Sequence, residues 1–332
     1  MKKILILHSP LSENAPADEL DVLQEAEFFA KALCVLGYDT AIIPFPYDVL
    51  QLKNLLEEHN PLMVVNLVET LMGSGKLVHI GPAWFEALQV PYTGCSAHAL
   101  YLTSHKILSK QLMRANGIVT PYFFTYKDLV LADDVFFARP YLVKSLWEHA
   151  SFGMDENMKL VFDSKEELLQ RFSLEKHPDD FFCEEYIHGR EFNLSMLGGD
   201  NGPEVLPVAE IRFSFPQDKP HILGYKAKWD EESFEYKNTI RTFDFPQKDS
   251  PLLEQLKIIA LRCWEVFGLA AYARVDFRVD EQGKIYVLEI NANPCISADS
   301  GFVAAAEKAG FTPEYIVLRI LQDVQVQVLS QN

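Results

Sequence analysis

The first third of the chain alternates short apolar runs with amphipathic stretches. Residues 4–7 (ILIL) are uninterruptedly apolar, and between 18 and 36 Leu20, Leu23, Ala26, Ala30 and Leu33 recur at helical spacing until Gly37 stops the pattern. Further strands are expected at 40–44 and 62–67. Strands alternating with helices imply a parallel sheet covered on both faces. Residues 1–103 therefore read as a Rossmann-like lobe, although no GxGxxG is present.

A helix is expected over 104–116, with Ser104 as its N-cap and Gly117 as its stop, and Pro121 keeps the next residues extended. From 118 to 230 the pattern becomes strand-rich, with candidates at 141–144, 159–162, 181–187, 192–197, 204–211 and 222–229. A second long helix, 252–267, opens on Pro251 and closes on Gly268. A strand-turn-strand unit follows, then a helix over 302–309 and a last one from 313. The mixture is α/β at the start and α+β after it, with no internal repeat or low-complexity linker.

The strand-turn-strand unit, AYARVDFRVDEQGKIYVLEINANP (271–294), carries chemistry. A two-residue period places Val275, Phe277 and Val279 on one face and Arg274, Asp276 and Arg278 on the other. In the second strand Glu289 and Asn291 share a face, opposite Leu288 and Ile290. The DEQG turn makes the strands antiparallel, so any register joining the polar faces makes Asp276 and Glu289 direct or diagonal neighbours. Two carboxylates at that range repel unless a cation lies between them. Magnesium suits such oxygen ligands, and Asn291 adds a neutral one. On the hairpin alone, a solvated turn whose acids pair with Arg274, Arg278 and Lys284 explains the pattern equally well.

Composition narrows the classes. The 332 residues are 48% hydrophobic, enough for two or three packed lobes. With 30 Lys plus Arg against 47 Asp plus Glu, the net charge of −17 disfavours nucleic acid and anionic membranes as partners. Five widely spaced cysteines without a CxxC argue against a disulfide framework or a zinc site and fit a reducing cytoplasm. No apolar run reaches the length of a membrane span, and the short run at 4–7 lacks the features of a secretory signal.

Motifs along the chain settle the hairpin's meaning. YARVDFRVDEQGKIYVLEINANP resembles the C-terminal signature of the D-alanine:D-alanine ligases and their ATP-grasp relatives. Upstream, in order, SHKILSKQLMRANGIVTP, PYLVKSLWEHASFGM, CEEYIHGREFNLSML, VLPVAEI and YKAKW are similar to further segments of that family. The resemblance implies an ATP-grasp fold with lobes at 1–103, 104–187 and 188–332. It also implies an ATP- and magnesium-dependent ligase that converts a carboxylate to an acyl phosphate and passes it to an amine, with amino acids or dipeptides as substrates.

Carried over residue by residue, the resemblance gives Lys106 and Lys144 the α and β phosphates of ATP. It gives the 150–153 backbone, with Ser151, the role of a phosphate flap. Glu184 would face the adenine, the backbone of Glu185 and Ile187 would read its edge, and Glu191 would hold the ribose. Lys228 would reach the γ phosphate, Arg274 would steady the tetrahedral intermediate, and Ser300 would bind the second substrate's carboxylate or else cap the next helix. Asp276, Glu289 and Asn291 would hold magnesium, two ions, with manganese as an alternative. Residues 230–244 stand where the family has a mobile lid, and the family allows for a homodimer.

Departures lie on the amino-acid side. The family's glycine-rich first-lobe segment is replaced by VNLVETLMGSGKLVHIGP, with Glu69 an echo of it, and Glu19 and Asp21 are the candidates for binding a substrate ammonium. Ala150, Trp229 and Cys295 replace the usual Ser, Tyr and Gly. Alternatives are an L-amino-acid or specialised-metabolite ligase, or a nucleotide-binding regulator without turnover.

Overall fold

The computed structural model describes residues 2–12, 15, 17–131, 139–147, 159–216 and 219–330. The chain order is β1 (Lys3–His8), α1 (Ala17–Val35), β2 (Asp39–Pro44), α2 (Val49–His59), β3 (Met63–Leu67), α3 (Ile80–Ala87), α4 (Ala97–Ser104), α5 (Lys106–Ala115), β4 (Phe123–Thr125), α6 (Tyr126–Leu131), β5 (Tyr141–Ser145), β6 (Val161–Phe162) and α7 (Lys165–Ser173). It continues with β7 (Phe181–Glu185), β8 (Gly189–Leu197), β9 (Glu204–Val205), β10 (Ala209–Phe213), α8 (Tyr225–Trp229), α9 (Phe234–Lys237), β11 (Thr239–Thr242), α10 (Ser250–Phe267), β12 (Tyr272–Asp280), β13 (Ile285–Ala292), α11 (Gly301–Lys308) and α12 (Pro313–Ser330).

Three sheets organise these elements. The first is parallel, in the order β2-β1-β3. Ile4 and Ile6 pack with α1 on one face while Leu5 and Leu7 join the core beneath α2 and α3, which is why the apolar run is unbroken. The second sheet, antiparallel in the order β4-β7-β5-β6, is backed by α6 and α7. The third is antiparallel, β11-β10-β8-β12-β13, with β9 beside β8. Phe192, Leu194, Val275 and Phe277 fill the face of this sheet under α10. Cys95, Ala99, Met113 and Ile118 share that core, so the segment around α4 and α5 is packed onto the third sheet. Helices α11 and α12 cross to the first sheet and bury Phe302, Ile316 and Ile320 with α1.

Several expected elements take another form. Ser104 does not cap the helix after it: it ends α4, and the His105 ring accepts the Leu108 N–H at 3.3 Å as the cap of α5. The strand expected over 204–211 breaks into β9 and β10 around Pro207, which has no N–H for a ladder. In the stretch expected as a strand over 222–229, Tyr225–Trp229 is instead the short helix α8, entered through Gly224. Alternation in YKAKW resembles a strand, but Lys and Ala favour helix and five residues fix no period. Residues 230–244, expected as a polar loop, hold α9 and the edge strand β11.

Candidate active site

A cavity of about 1090 Å³ lies where the three sheets face one another. Every site residue expected from the sequence lines it except Ser151, which lies outside the described residues together with the flap at 150–153. Tertiary folding therefore brings together side chains separated by nearly two hundred positions.

The floor is the polar face of the third sheet. Asp276 stands directly opposite Glu289 on β13 and opposite Asn193 on β8, while Arg278 stands opposite Glu191. Asp276 is buried, with only 6% of its surface exposed, so the solvated-hairpin reading fails. Arg274 grips its two oxygens through Nε and Nη2 at 2.8 and 2.9 Å, Asn193 Nδ2 donates at 2.7 Å, and Asn291 Nδ2 donates at 3.0 Å. Burial alone would lower the Arg274 guanidinium, but Asp276 and Glu289 beside it raise it above its ordinary value. Glu289 acts electrostatically on Lys110, Lys144, Lys228 and Arg274 alike, which places its carboxylate centrally among the cations. Two carboxylates paired across the strands, with the Asn291 amide two residues along β13, are hard oxygen donors of the kind magnesium takes.

The register also departs from expectation at one residue. Asp276 pairs with Glu289 but Phe277 pairs with Val287, so Leu288 is a bulge. The extra residue shifts the alternation, and Leu288 lines the cavity alongside Glu289.

The opposite wall comes from the second sheet. Lys144 on β5 meets Glu184 on β7 at 2.7 Å, and Glu184 also pairs with Lys110 from α5. Burial would raise the Glu184 carboxyl, yet the two lysines hold it below its usual range. Burial would likewise lower Lys144, and Glu184 and Glu289 more than reverse this. The Glu184 carboxylate thus sits on a lysine pair, and Glu185, Tyr186 and Ile187 line the cavity at this wall. Glu185 binds Arg139 at 2.7 Å and gives its own N–H to the Tyr122 carbonyl, and Glu191 binds Arg278 at 2.6 Å.

Lys106 is buried at the start of α5. Lys228 lies half-buried in the last turn of α8, its ammonium lowered by burial against the pull of Glu289. The Ser300 hydroxyl accepts the Val303 N–H at 3.2 Å as the N-cap of α11, so the expected cap is present, and the residue also lines the cavity.

At the end of the cavity lined by α1, Cys295 donates to Asp21 at 3.0 Å and lies beside Glu25, whose carboxylate accepts the Ile296 N–H at 3.3 Å. Burial, Glu25 and Asp21 push the Cys295 thiol well above its ordinary value, which opposes both a nucleophilic and a metal-binding thiolate. Glu25, Asn193 and Lys110 were not singled out in the sequence. Glu25 and Lys110 had a signal, each lying four residues after a candidate, Asp21 and Lys106, on one helical face. Asn193 had none, because the pairing of β8 with β12 is not readable from the chain.

Known proteins show the family and the fold. The family model "D-ala D-ala ligase C-terminus" matches residues 126–322. The uncharacterized protein y4sG of Sinorhizobium fredii is 32% identical over 304 residues, covering 89% of this chain and 86% of its own length. The D-alanine–D-alanine ligase of Carboxydothermus hydrogenoformans is 30% identical over 247 residues, covering 71% and 73%. In fold, the chain superposes along its full length on the D-alanine–D-alanine ligase of Bacillus anthracis complexed with ATP, with a TM-score of 0.75 at 19% identity. The family uses ATP, typically with magnesium, and acts on small amino acid substrates. The chain belongs to the D-alanine–D-alanine ligase family of the ATP-grasp fold, and it is an ATP-dependent ligase that joins a carboxylate to an amine.

Proposed function

We propose that the enzyme activates an amino acid or dipeptide carboxylate as an acyl phosphate at the Asp276–Glu289 end of the cavity and joins it to the amine of a second amino acid. The cross-strand pairing of Asp276 with Glu289, beside Arg274 and beneath Lys144 and Lys228, carries this reading. Asp276, Glu289 and Asn291 would hold magnesium, in two ions or with manganese in its place, whose chemistry is to neutralise charge on phosphate oxygens. Lys106 and Lys144 would bind the α and β phosphates of ATP, with Ser151 in the flap over them. Glu185 and Ile187 would read the adenine through their backbones, Glu184 would face the adenine while holding Lys144 at the phosphates, and Glu191 would hold the ribose. Lys228 and Arg274 would stabilise anionic oxygens in a site shielded from water, because water would hydrolyse an acyl phosphate. Ser300 would bind the second substrate's carboxylate.

The crowding of Asp21 and Glu25 supports an ammonium-binding role at the far end, since a cation would relieve the repulsion between two carboxylates held so close. The Cys295 thiol between them and the floor supports substrates other than two D-alanines. The division into lobes at 1–103, 104–187 and 188–332 belongs to the same reading, supported by one sheet in each. A cytoplasmic location is supported by five free cysteines, and no described helix is long and apolar enough to cross a membrane. A homodimer is the assembly that sedimentation would test. The deciding experiment is phosphate release from ATP and magnesium with D- and L-amino acids, singly and in pairs. Release that requires one pair identifies the substrates, and ATP binding without release on every pair overturns the reading.

A further inference from the structure

Lys110 lies behind the cavity wall, 1% exposed, and does not line the cavity. Its Nζ donates to Thr120 Oγ1 at 3.0 Å and to the Leu288 carbonyl at 2.9 Å, and it pairs with the Glu184 carboxylate. An ammonium has three donors and no acceptor, so these three partners match it fully. Each partner comes from a different part of the fold. Thr120 follows α5, Glu184 is on the second sheet beside Lys144, and Leu288 is the bulge of the third sheet next to Glu289. A bulge residue stands outside the ladder, so its carbonyl needs a partner from elsewhere. The Val287 N–H donates to the Val119 carbonyl at 2.8 Å, so the residue just before the bulge is tied to the same segment as Thr120.

We propose that Lys110 is a positioning residue of the ligase reaction, fixing the bulge that aims Glu289 into the cavity and sharing the charge of Glu184 so that Lys144 remains directed at the phosphates. The proposal rests on the roles given above to Glu289 and Lys144. A buried ammonium on a bulge carbonyl has a structural use as well, so stability alone does not test it. Without Lys110, Glu184 keeps one counter-charge, Lys144, and draws it inward, while Leu288 loses its donor. An arginine is not an equivalent, because its larger planar fork does not match three partners arranged around one buried nitrogen.

The test compares wild type, Lys110→Met, Glu184→Gln and the double variant Lys110→Met/Glu184→Gln. Removing both buried charges together leaves no orphan carboxylate, so the double variant keeps cooperative melting where Lys110→Met alone loses stability. Two quantities are read: kcat for phosphate release, and the magnesium concentration giving half-maximal binding of a non-hydrolysable ATP analogue, which needs no turnover. Relative to Glu184→Gln, the double variant is expected to lose at least tenfold in kcat and to need at least threefold more magnesium. Thr120→Val, which removes one acceptor and no charge, shifts the magnesium midpoint in the same direction by less and serves if the double variant does not fold. Magnesium midpoints equal to the Glu184→Gln value in the double variant, or to wild type in Thr120→Val, overturn the proposal alone. Analogue binding by wild type that ignores magnesium overturns the metal reading and the proposal with it.

Discussion

Both oxygens of Asp276 are gripped by Arg274, and Asn193 and Asn291 donate to one each. Asp276→Asn keeps the shape and removes the charge that balances Arg274. The variant is expected to melt cooperatively with a loss on the order of 1–3 kcal/mol, and phosphate release should fall about 10²–10³-fold. Calorimetry and a phosphate assay check the two halves. Glu25 gives a pH signature. Its carboxyl is raised well above the ordinary 4.5 by burial, Glu69 and Asp21. The folded protein therefore holds a proton that the unfolded chain releases, and stability is lost as pH rises from about 4.5 through the raised value. Glu25→Gln, which cannot ionise, should melt above wild type at neutral and alkaline pH, with the difference vanishing toward pH 4.5. A constant difference across that range would contradict the assignment. Asp276 and Glu289 were legible in the sequence because a period of two puts them on polar faces of a hairpin. Glu184's lysine partners were not, since what a buried carboxylate touches depends on which strands meet.

Single residues also set the form of whole elements. Gly94 adopts φ +95°, and a Cβ there would lie 2.7 Å from Asn293 Cγ. Asn293, itself at φ 57°, accepts the Cys95 N–H at 2.8 Å and so ties the first lobe to the turn that ends β13. Gly94→Ala is expected to cost about 1–3 kcal/mol through left-handed strain and displacement of Asn293. It should also raise KM for the amino acid substrate more than KM for ATP, because the displaced turn carries Cys295. Thermal melting and the two KM values decide this. Residues 230–244, with α9 and β11 at the sheet edge, are expected to be cut more slowly by protease when the ATP analogue and substrates are present. Equal cutting in both conditions would remove the lid from the mechanism. Sequence pattern failed at α8, where five residues satisfy two periods, and Lys228 reaches the cavity from a helix end.

At the scale of the molecule, the cavity closes only because elements from all three sheets meet. Magnesium and ATP at about 100 times Kd should add about 2.7 kcal/mol by mass action, seen as a rise in Tm of about 4 °C. A chelator should remove most of that rise while leaving the melting of the unliganded protein unchanged. The amino-acid sequence by itself determined the mixed α/β fold class, the antiparallel hairpin, the acids on its polar face and the membership of an ATP-using ligase family. Those features rest on local periodicity, turn chemistry and ordered motifs, which are written in neighbouring residues. Tertiary structure alone decided that Lys110, Glu184 and Leu288 meet, that Asn193 faces Asp276, and that Asp21 and Glu25 crowd Cys295. Those contacts join residues up to 274 positions apart, and their geometry follows from how the sheets pack, a sum over the whole core that no local pattern contains.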